Sequence, residues 1–124
     1  MVDARIEVVF VPVSDADRAK EFYAGKLGWH VDHDQTVSPE LRFVQITPPG
    51  SACSIAFGPG ISQMEPGTLN ATMAVIEDAD AARAELVAAG VDATPVEDLG
   101  WGRFVRFSDP DGNRWSLQQL PARG

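Results

Sequence analysis

Cysteine, long apolar runs and positive charge are all scarce in this sequence, and each scarcity narrows what the protein can be. The 124 residues contain one cysteine, Cys53, so no disulfide can form within the chain. No apolar run approaches the roughly 20 residues that a membrane-spanning helix needs. Residues 1–5 lack the basic and then apolar pattern of a signal peptide. We therefore expect a cytoplasmic protein.

Acidic residues outnumber basic ones. The chain has 18 Asp and Glu residues and 10 Lys and Arg residues, which give a formal net charge of −8. Proteins that bind nucleic acid usually present a clustered basic surface, and anionic membranes attract basic segments. The charge balance therefore argues against both kinds of partner. The length and the 44% content of hydrophobic residues predict a single globular domain over residues 1–124.

The first half of the chain has the pattern strand, helix and three strands. An apolar, β-branched stretch over residues 6–13 predicts a strand, with Ser14 as a candidate N-cap for the helix that follows. Residues 16–26 repeat apolar side chains at helical spacing. Residues 29–32 indicate a short strand, and two further strands are predicted over residues 41–47 and 53–57.

The same pattern then begins again. A strand over residues 72–76 is followed by an alanine-rich helix over residues 77–89 and by three strands, over residues 91–96, 103–107 and 114–118. Between the halves, residues 58–69 contain three glycines and two prolines, which is typical of a linker. We assign the first unit to residues 5–58, the linker to 59–69 and the second unit to 70–120.

A shift of about 63 residues superimposes the two halves of the sequence. Asp15-Ala16-Asp17 then falls on Asp78-Ala79-Asp80, and Pro48-Pro49-Gly50 falls, one residue off, on residues 110–112. Matches at both helix starts and at both final turns, in the same order, indicate an internal duplication.

The second of those turns is the strongest local signal in the chain. Asp109-Pro110-Asp111-Gly112 combines the residues that favour tight turns. After it, Trp115 and Leu117 alternate with polar residues, which is the period of a half-buried strand. If this hairpin lines a cavity, Ser116 faces whatever the protein binds.

Three stretches give the chain a resemblance to the vicinal oxygen chelate superfamily, which includes glyoxalase I, extradiol dioxygenases and bleomycin-type resistance proteins. They are Val13-Ser14-Asp15 with the helix after it, Leu27-Gly28-Trp29, and the run from Phe107 to Asn113. The resemblance implies an α+β fold of two βαβββ modules. In that fold, curled mixed sheets form a cup-shaped cavity, which a second copy of the chain often completes. We therefore expect a homodimer.

Members of this family that use a metal ion take its ligands from four positions, usually filled by His, Gln or Glu. The first and third lie about seven residues before the Asp that starts each helix, and the second and fourth lie four residues after each turn glycine. Carried over to this chain, these positions are Val8, Ser54, Ala71 and Ser116; a slip of one residue would replace Ala71 only by Asn70. Alkyl groups cannot bind a metal, and neutral hydroxyls are poor ligands beside carboxylates. We therefore expect no metal and no other cofactor.

The cavity that the resemblance implies has a mixed lining, apolar with hydroxyl, amide and guanidinium groups at one side. Such a surface suits an organic ligand with an anionic or carbonyl group. Trp101, between two glycines, could cover a planar ligand, although a place in the core or at a dimer contact is also open. The predicted ligand-binding residues are Val8, Phe10, Ser54, Ala71, Met73, Trp101, Phe104, Arg106, Arg114, Ser116 and Gln118.

Three functions follow as hypotheses. The first is metal-free binding of a small organic molecule, as in sequestration of a drug or natural product by resistance proteins of the bleomycin type. The second is a metal-dependent lyase, isomerase or dioxygenase with unconventional ligands such as His30, His33 or Glu97. The third is a structural or partner-binding module whose cavity is filled by its own Phe10 and Met73.

Overall fold

The first half of the chain forms a four-stranded sheet. The computed structural model describes residues 1–122. The spatial order is β1-β4-β3-β2, with β1 parallel to β4 and the other neighbours antiparallel. The strands are β1 (Val8–Phe10), β2 (His30–Ser38), β3 (Leu41–Thr47) and β4 (Ser54–Phe57).

The second half builds a sheet of the same topology, in the order β5-β8-β7-β6, with the parallel pair again at one edge. The strands are β5 (Thr72–Ile76), β6 (Glu97–Leu99), β7 (Gly102–Ser108) and β8 (Arg114–Gln119). The predicted α+β fold of two βαβββ units is therefore confirmed. No helix within residues 1–122 is long and apolar enough to cross a membrane.

Each unit contains one helix, and both helices begin in the same way. Helix α1 (Ala16–Lys20) has Asp15 as its N-cap, and α2 (Ala79–Ala88) has Asp78; each carboxylate accepts a hydrogen bond from the backbone N–H three residues later. The matching helix starts of the duplicated sequence are thus real. Ser14, the predicted N-cap, instead donates its hydroxyl to Asp111 at 2.6 Å.

Helix α1 does not continue as an α-helix to residue 26, as predicted. It widens into a π-helical segment, Glu21–Lys26, in which the N–H of Leu27 reaches back five residues to the carbonyl of Phe22. The wider turn accompanies the burial of two adjacent aromatic side chains, because Phe22 and Tyr23 are 5% and 0% exposed. Gly28 then ends the helix with a positive φ of 73°.

Three predicted strand boundaries were wrong. Strand β1 has only three residues, although the N–H of Val11 still bonds the carbonyl of Ala56, because Pro12 has no N–H to extend the ladder. Strand β2 has nine residues, since β3 supplies partners along its polar sequence across two irregularities. Residues 91–96 make only an isolated bridge at Ala93, and the strand comes later, at Glu97–Leu99.

One face of each sheet packs with the two helices into a single apolar core. Tyr23 lies at its centre, with ring centroids 5.9 Å from those of both Phe57 in the first sheet and Trp115 in the second. The aromatic rings thus bring the two units together. The opposite face of each sheet, called the outer face below, points away from the helices. Its residues are Val8, Phe10, Gln45, Thr47, Ser54 and Ala56 in the first sheet and Met73, Val75, Phe104, Arg106, Arg114, Ser116 and Gln118 in the second.

Candidate functional site

The pairing register decides which side chains are neighbours on the outer faces. In the first sheet Val8 lies opposite Ser54. The Ser54 hydroxyl is in turn 2.6 Å from that of Thr47 on the next strand. In the second sheet Met73 lies opposite Ser116. The two sheets therefore present comparable rows, each with an apolar residue on the edge strand and a serine beside it.

Ala71 does not take the place that the sequence comparison gave it, because Met73 lies opposite Ser116. Ala71 precedes β5. The cause is a difference between the two units: Val8 lies seven residues before the N-cap of α1, whereas Met73 lies five residues before that of α2. A count of seven residues back from the second helix therefore overshoots the matching position.

With Met73 in place of Ala71, the four positions are Val8, Ser54, Met73 and Ser116. The side chains at these positions do not fit the metal site that the fold family implies. They offer an alkyl group, a thioether and two neutral hydroxyls, whereas a divalent cation with open positions takes imidazole and carboxylate ligands. Within residues 1–122, no group of three or more His, Cys, Asp and Glu side chains could hold a metal ion.

A cavity of about 410 Å³ lies between the edge strands of the two sheets. Both Ser54 of the first sheet and Met73 of the second line it. Its walls are mostly apolar, and their other members include Val9, Cys53, Ile55, Val75 and Trp115. A volume of this size, with few polar groups, is typical of sites for small organic molecules.

A second hollow, of about 660 Å³, lies against the second sheet. Four of the predicted ligand-binding residues line it: Ala71, Arg106, Arg114 and Ser116. The predicted residues are thus divided between two concavities, and a single chain does not bring all of them together. The guanidinium groups of Arg106 and Arg114 lie on this hollow, which Asp92 also lines.

Arg106 is held in place rather than free. One guanidinium nitrogen donates to Glu97 at 3.1 Å, and the guanidinium carbon lies 5.3 Å from the centre of the Phe104 ring. The ring is 4% exposed, so it forms a fixed floor beneath the cation. Arg114 differs, because its side chain makes no hydrogen bond or ion pair with any other described residue.

The remaining predicted residues lie around these hollows without lining them. Gln118 is buried and donates from Nε2 to the carbonyl of Trp101 at 2.9 Å, which fixes the backbone of the β6–β7 turn. The Trp101 residue is 63% exposed, so the alternative of a core position was wrong. Val8 is half-buried, and Phe10 is 43% exposed on the outer face, where it does not fill a closed core.

The unconventional metal ligands considered from sequence are separated by the fold. His30 and His33 lie on β2 in the first sheet, whereas Glu97 lies on β6 in the second. Glu97 is also occupied by its ion pair with Arg106. Among residues 1–122, the one carboxylate within 4 Å of the His30 ring nitrogens is that of Asp32, at 3.8 Å.

One group of site residues was missed by reasoning from sequence. Asp32 accepts a hydrogen bond from the Thr47 hydroxyl, which also contacts the Ser54 hydroxyl at 2.6 Å. The carboxylate reaches the outer face because β2 is irregular between Val31 and His33. No sequence signal marks that bulge, so the polar chain could be found only once the strand register was known.

Comparisons with known proteins agree with this fold. The family model described as Glyoxalase/Bleomycin resistance protein/Dioxygenase superfamily matches residues 5–117. Among curated proteins, the uncharacterized protein YetH of Bacillus subtilis (strain 168) is 26% identical over 117 residues, which covers 93% of this chain and 98% of YetH.

Solved structures give a similar result. TnmS3, an antibiotic binding protein from Streptomyces sp. CB03234, is 34% identical with a TM-score of 0.88, and the match covers 98% of this chain and 99% of TnmS3. A superfamily member from Sphaerobacter thermophilus DSM 20745 is 32% identical with a TM-score of 0.82, over 94% and 97% of the two chains. The protein therefore belongs to the Glyoxalase/Bleomycin resistance protein/Dioxygenase superfamily.

Proposed function

We propose that this protein binds a small organic molecule without the help of a metal ion, and that it sequesters a drug or natural product in the cytoplasm. The observation that carries the proposal is the chemistry of Val8, Ser54, Met73 and Ser116. At these positions, alkyl, thioether and hydroxyl groups replace the ligands of metal-using relatives. These groups suit contact with an organic surface and are poor cation ligands. The similarity to an antibiotic binding protein supports the same reading.

The two guanidinium groups beside the second sheet, those of Arg106 and Arg114, indicate which groups the ligand carries. Arg106 is oriented by Glu97 and Phe104, while the Arg114 side chain makes no hydrogen bond or ion pair with another residue in 1–122. Guanidinium groups bind carboxylates and other anions through paired hydrogen bonds. We therefore expect an apolar body with an anionic or carbonyl group at one end.

A second copy of the chain is proposed to complete the site. Met73 and Val75 on edge strand β5 are 57% and 61% exposed, and Phe10 on edge strand β1 is 43% exposed. Apolar side chains gathered on one surface mark an interaction site. Pairing of the outer face of one copy with that of another would cover these side chains and bring the separated ligand-binding residues around one cavity.

The test is a thermal-shift and calorimetric screen of aromatic, anionic and carbonyl-containing compounds, including antibiotics. A ligand present at 100 times its Kd stabilises the folded state by about 2.7 kcal/mol, which corresponds to a rise in Tm of roughly 10 °C for a domain of this size. Failure of every compound to raise Tm would contradict the proposal.

Two variants separate binding at the proposed site from a general charge effect. Arg106→Gln is expected to weaken binding of an anionic hit about tenfold or more. Arg103→Gln is the matched control, because Arg103 lies on the same strand but pairs with Asp80 on the opposite face. Metal analysis of protein purified without chelator completes the test, since stoichiometric metal would favour the enzyme hypothesis instead.

A further inference from the structure

A chain of three polar side chains crosses the outer face of the first sheet. The Thr47 hydroxyl donates a hydrogen bond to the carboxylate of Asp32 and lies 2.6 Å from the hydroxyl of Ser54. Ser54 is 6% exposed and sits beside the edge strand, opposite Val8. The three side chains thus run from the accessible carboxylate of Asp32 to the hydroxyl of Ser54, a buried residue that lines the 410 Å³ cavity.

The chemistry of these groups fixes the direction of both hydrogen bonds. A carboxylate has only lone pairs, so the Thr47 hydroxyl must supply the proton in its bond with Asp32. A hydroxyl has one proton to donate, so Thr47 can only accept from its other neighbour. The proton between Thr47 and Ser54 therefore belongs to Ser54.

This direction has a consequence inside the cavity. Because the Ser54 proton points towards Thr47, the Ser54 oxygen has only lone pairs left for anything else that reaches it. Its backbone N–H is also occupied, by the carbonyl of Glu7 at 2.9 Å. The Ser54 hydroxyl is therefore a hydrogen-bond acceptor on the outer face, which it shares with Met73 and Val75 among the residues that line the cavity.

We infer that Ser54 selects ligands that carry a hydrogen-bond donor, and that the ligand is an aromatic compound with a free hydroxyl group. The apolar walls favour the aromatic body, and the acceptor favours the phenolic O–H over an ether or carbonyl at the same position. Asp32 does not touch the ligand; it acts as a positioning residue by fixing the proton of Thr47. This inference rests on the proposed function and names the class of molecule bound.

The experiment compares 2-naphthol with 2-methoxynaphthalene, in which a methyl group replaces the hydroxyl proton, so that only 2-naphthol can donate a hydrogen bond from its oxygen. Their Kd values are measured by calorimetry on the full chain. In the wild type we expect 2-naphthol to bind about tenfold more tightly than 2-methoxynaphthalene. The hydroxyl of 2-naphthol donates a hydrogen bond to Ser54, whereas the ether oxygen places one acceptor against another.

Asp32→Ala is the decisive variant. Without the carboxylate, the Thr47 hydroxyl can donate its proton to Ser54. The Ser54 hydroxyl can then donate to the ligand as well as accept from it. The ratio of the Kd of 2-methoxynaphthalene to that of 2-naphthol should therefore fall towards one. Ser54→Ala should also bring the ratio towards one. Ser38→Ala is the control, since its hydroxyl bonds the N–H of Glu40 at the far end of β2, and it should keep the wild-type ratio. Circular dichroism and Tm establish that each variant is folded, and the exposed position of Asp32 favours a folded Asp32→Ala protein.

The possible failures are distinguishable. A wild-type ratio near one, or a ratio that stays near ten in Asp32→Ala and Ser54→Ala, overturns the inference but leaves small-molecule binding intact. Absence of binding by both naphthalenes, when other compounds of the screen bind, also overturns the inference alone. Absence of binding by every compound overturns the proposed function together with it.

Discussion

The hydroxyl of Tyr23 donates a hydrogen bond to the carboxylate of Asp109 over 2.7 Å, and this bond joins the helix of the first unit to the final turn of the second. The same hydroxyl accepts a bond from Nε1 of Trp115 at 2.9 Å. Asn113 completes the group, because its amide donates both to Asp109 and to the carbonyl of Pro12, each at 2.8 Å. The turn motif that is prominent in the sequence therefore holds the two units together.

The first prediction concerns Tyr23, the only tyrosine in the chain. Burial and then the nearby charge of Asp109 raise the pKa of its hydroxyl far above the ordinary value near 10. Below about pH 10 both the folded and unfolded states keep the proton. Above that pH only the folded state keeps it, so this contribution to stability is lost as the pH rises further. Tyrosinate absorbance at 295 nm should appear only together with unfolding; a titration near pH 10 in the folded protein would contradict this.

A second prediction concerns Asp109→Asn. The Asp109 carboxylate accepts four hydrogen bonds, from Tyr23, from Asp111 and from the side chain and backbone of Asn113. An amide of the same shape turns an N–H₂ group towards donors, so we expect a loss of about 2–4 kcal/mol in the free energy of unfolding. Urea denaturation measures it. Asp98→Asn is the control, because that side chain is 77% exposed and should lose less than about 0.5 kcal/mol.

A third prediction concerns the acid side of the stability profile. The hydrogen bonds from Arg42 and then from Lys20 hold the pKa of the Asp34 carboxyl well below its usual range. Its contribution is therefore present above about pH 4, the ordinary value, and is lost as the pH falls through the lower value of the folded state. Asp34→Asn should be less stable than the wild type at pH 7 by about 1 kcal/mol, and urea denaturation should show the gap closing towards pH 2. A gap that widens on acidification would contradict this assignment.

A fourth prediction tests the proposed dimer. Met73→Glu places a charge on the exposed outer face, where a second copy is proposed to dock, and should shift sedimentation from dimer to monomer at micromolar concentration. Val87→Glu is the matched control, since Val87 is a similarly exposed apolar residue, 51% against 57%, but lies on α2. Equal effects of the two substitutions, or a monomeric wild type, would contradict the proposed interface.

Local chemistry explains which parts of the fold could be predicted from the sequence. The N-caps Asp15 and Asp78 and the turn at residues 109–112 carry their signals in adjacent residues, and all three are present in the structure. Strand β2 was underestimated because its polar sequence has little strand propensity of its own, and its partner β3 provides the hydrogen bonds.

The site was predicted less completely, because its geometry depends on register between distant residues. The replacement of Ala71 by Met73 follows from a difference of two residues between the strand–helix connections, which a count along the chain cannot reveal. Asp32 likewise joins Thr47 and Ser54 only through a bulge that has no sequence signature. The lack of imidazole and carboxylate side chains at these positions needed no register, since neither Ala71 nor Met73 carries such a group.

The two sheets meet through aromatic packing and the Tyr23–Asp109 bond, and the β-ladders of each sheet stay within it. The walls of the 410 Å³ cavity at Cys53, Met73 and Val75 therefore lie apart from the contact that maintains the fold. Substitutions at those walls can alter the proposed ligand range at little cost in stability.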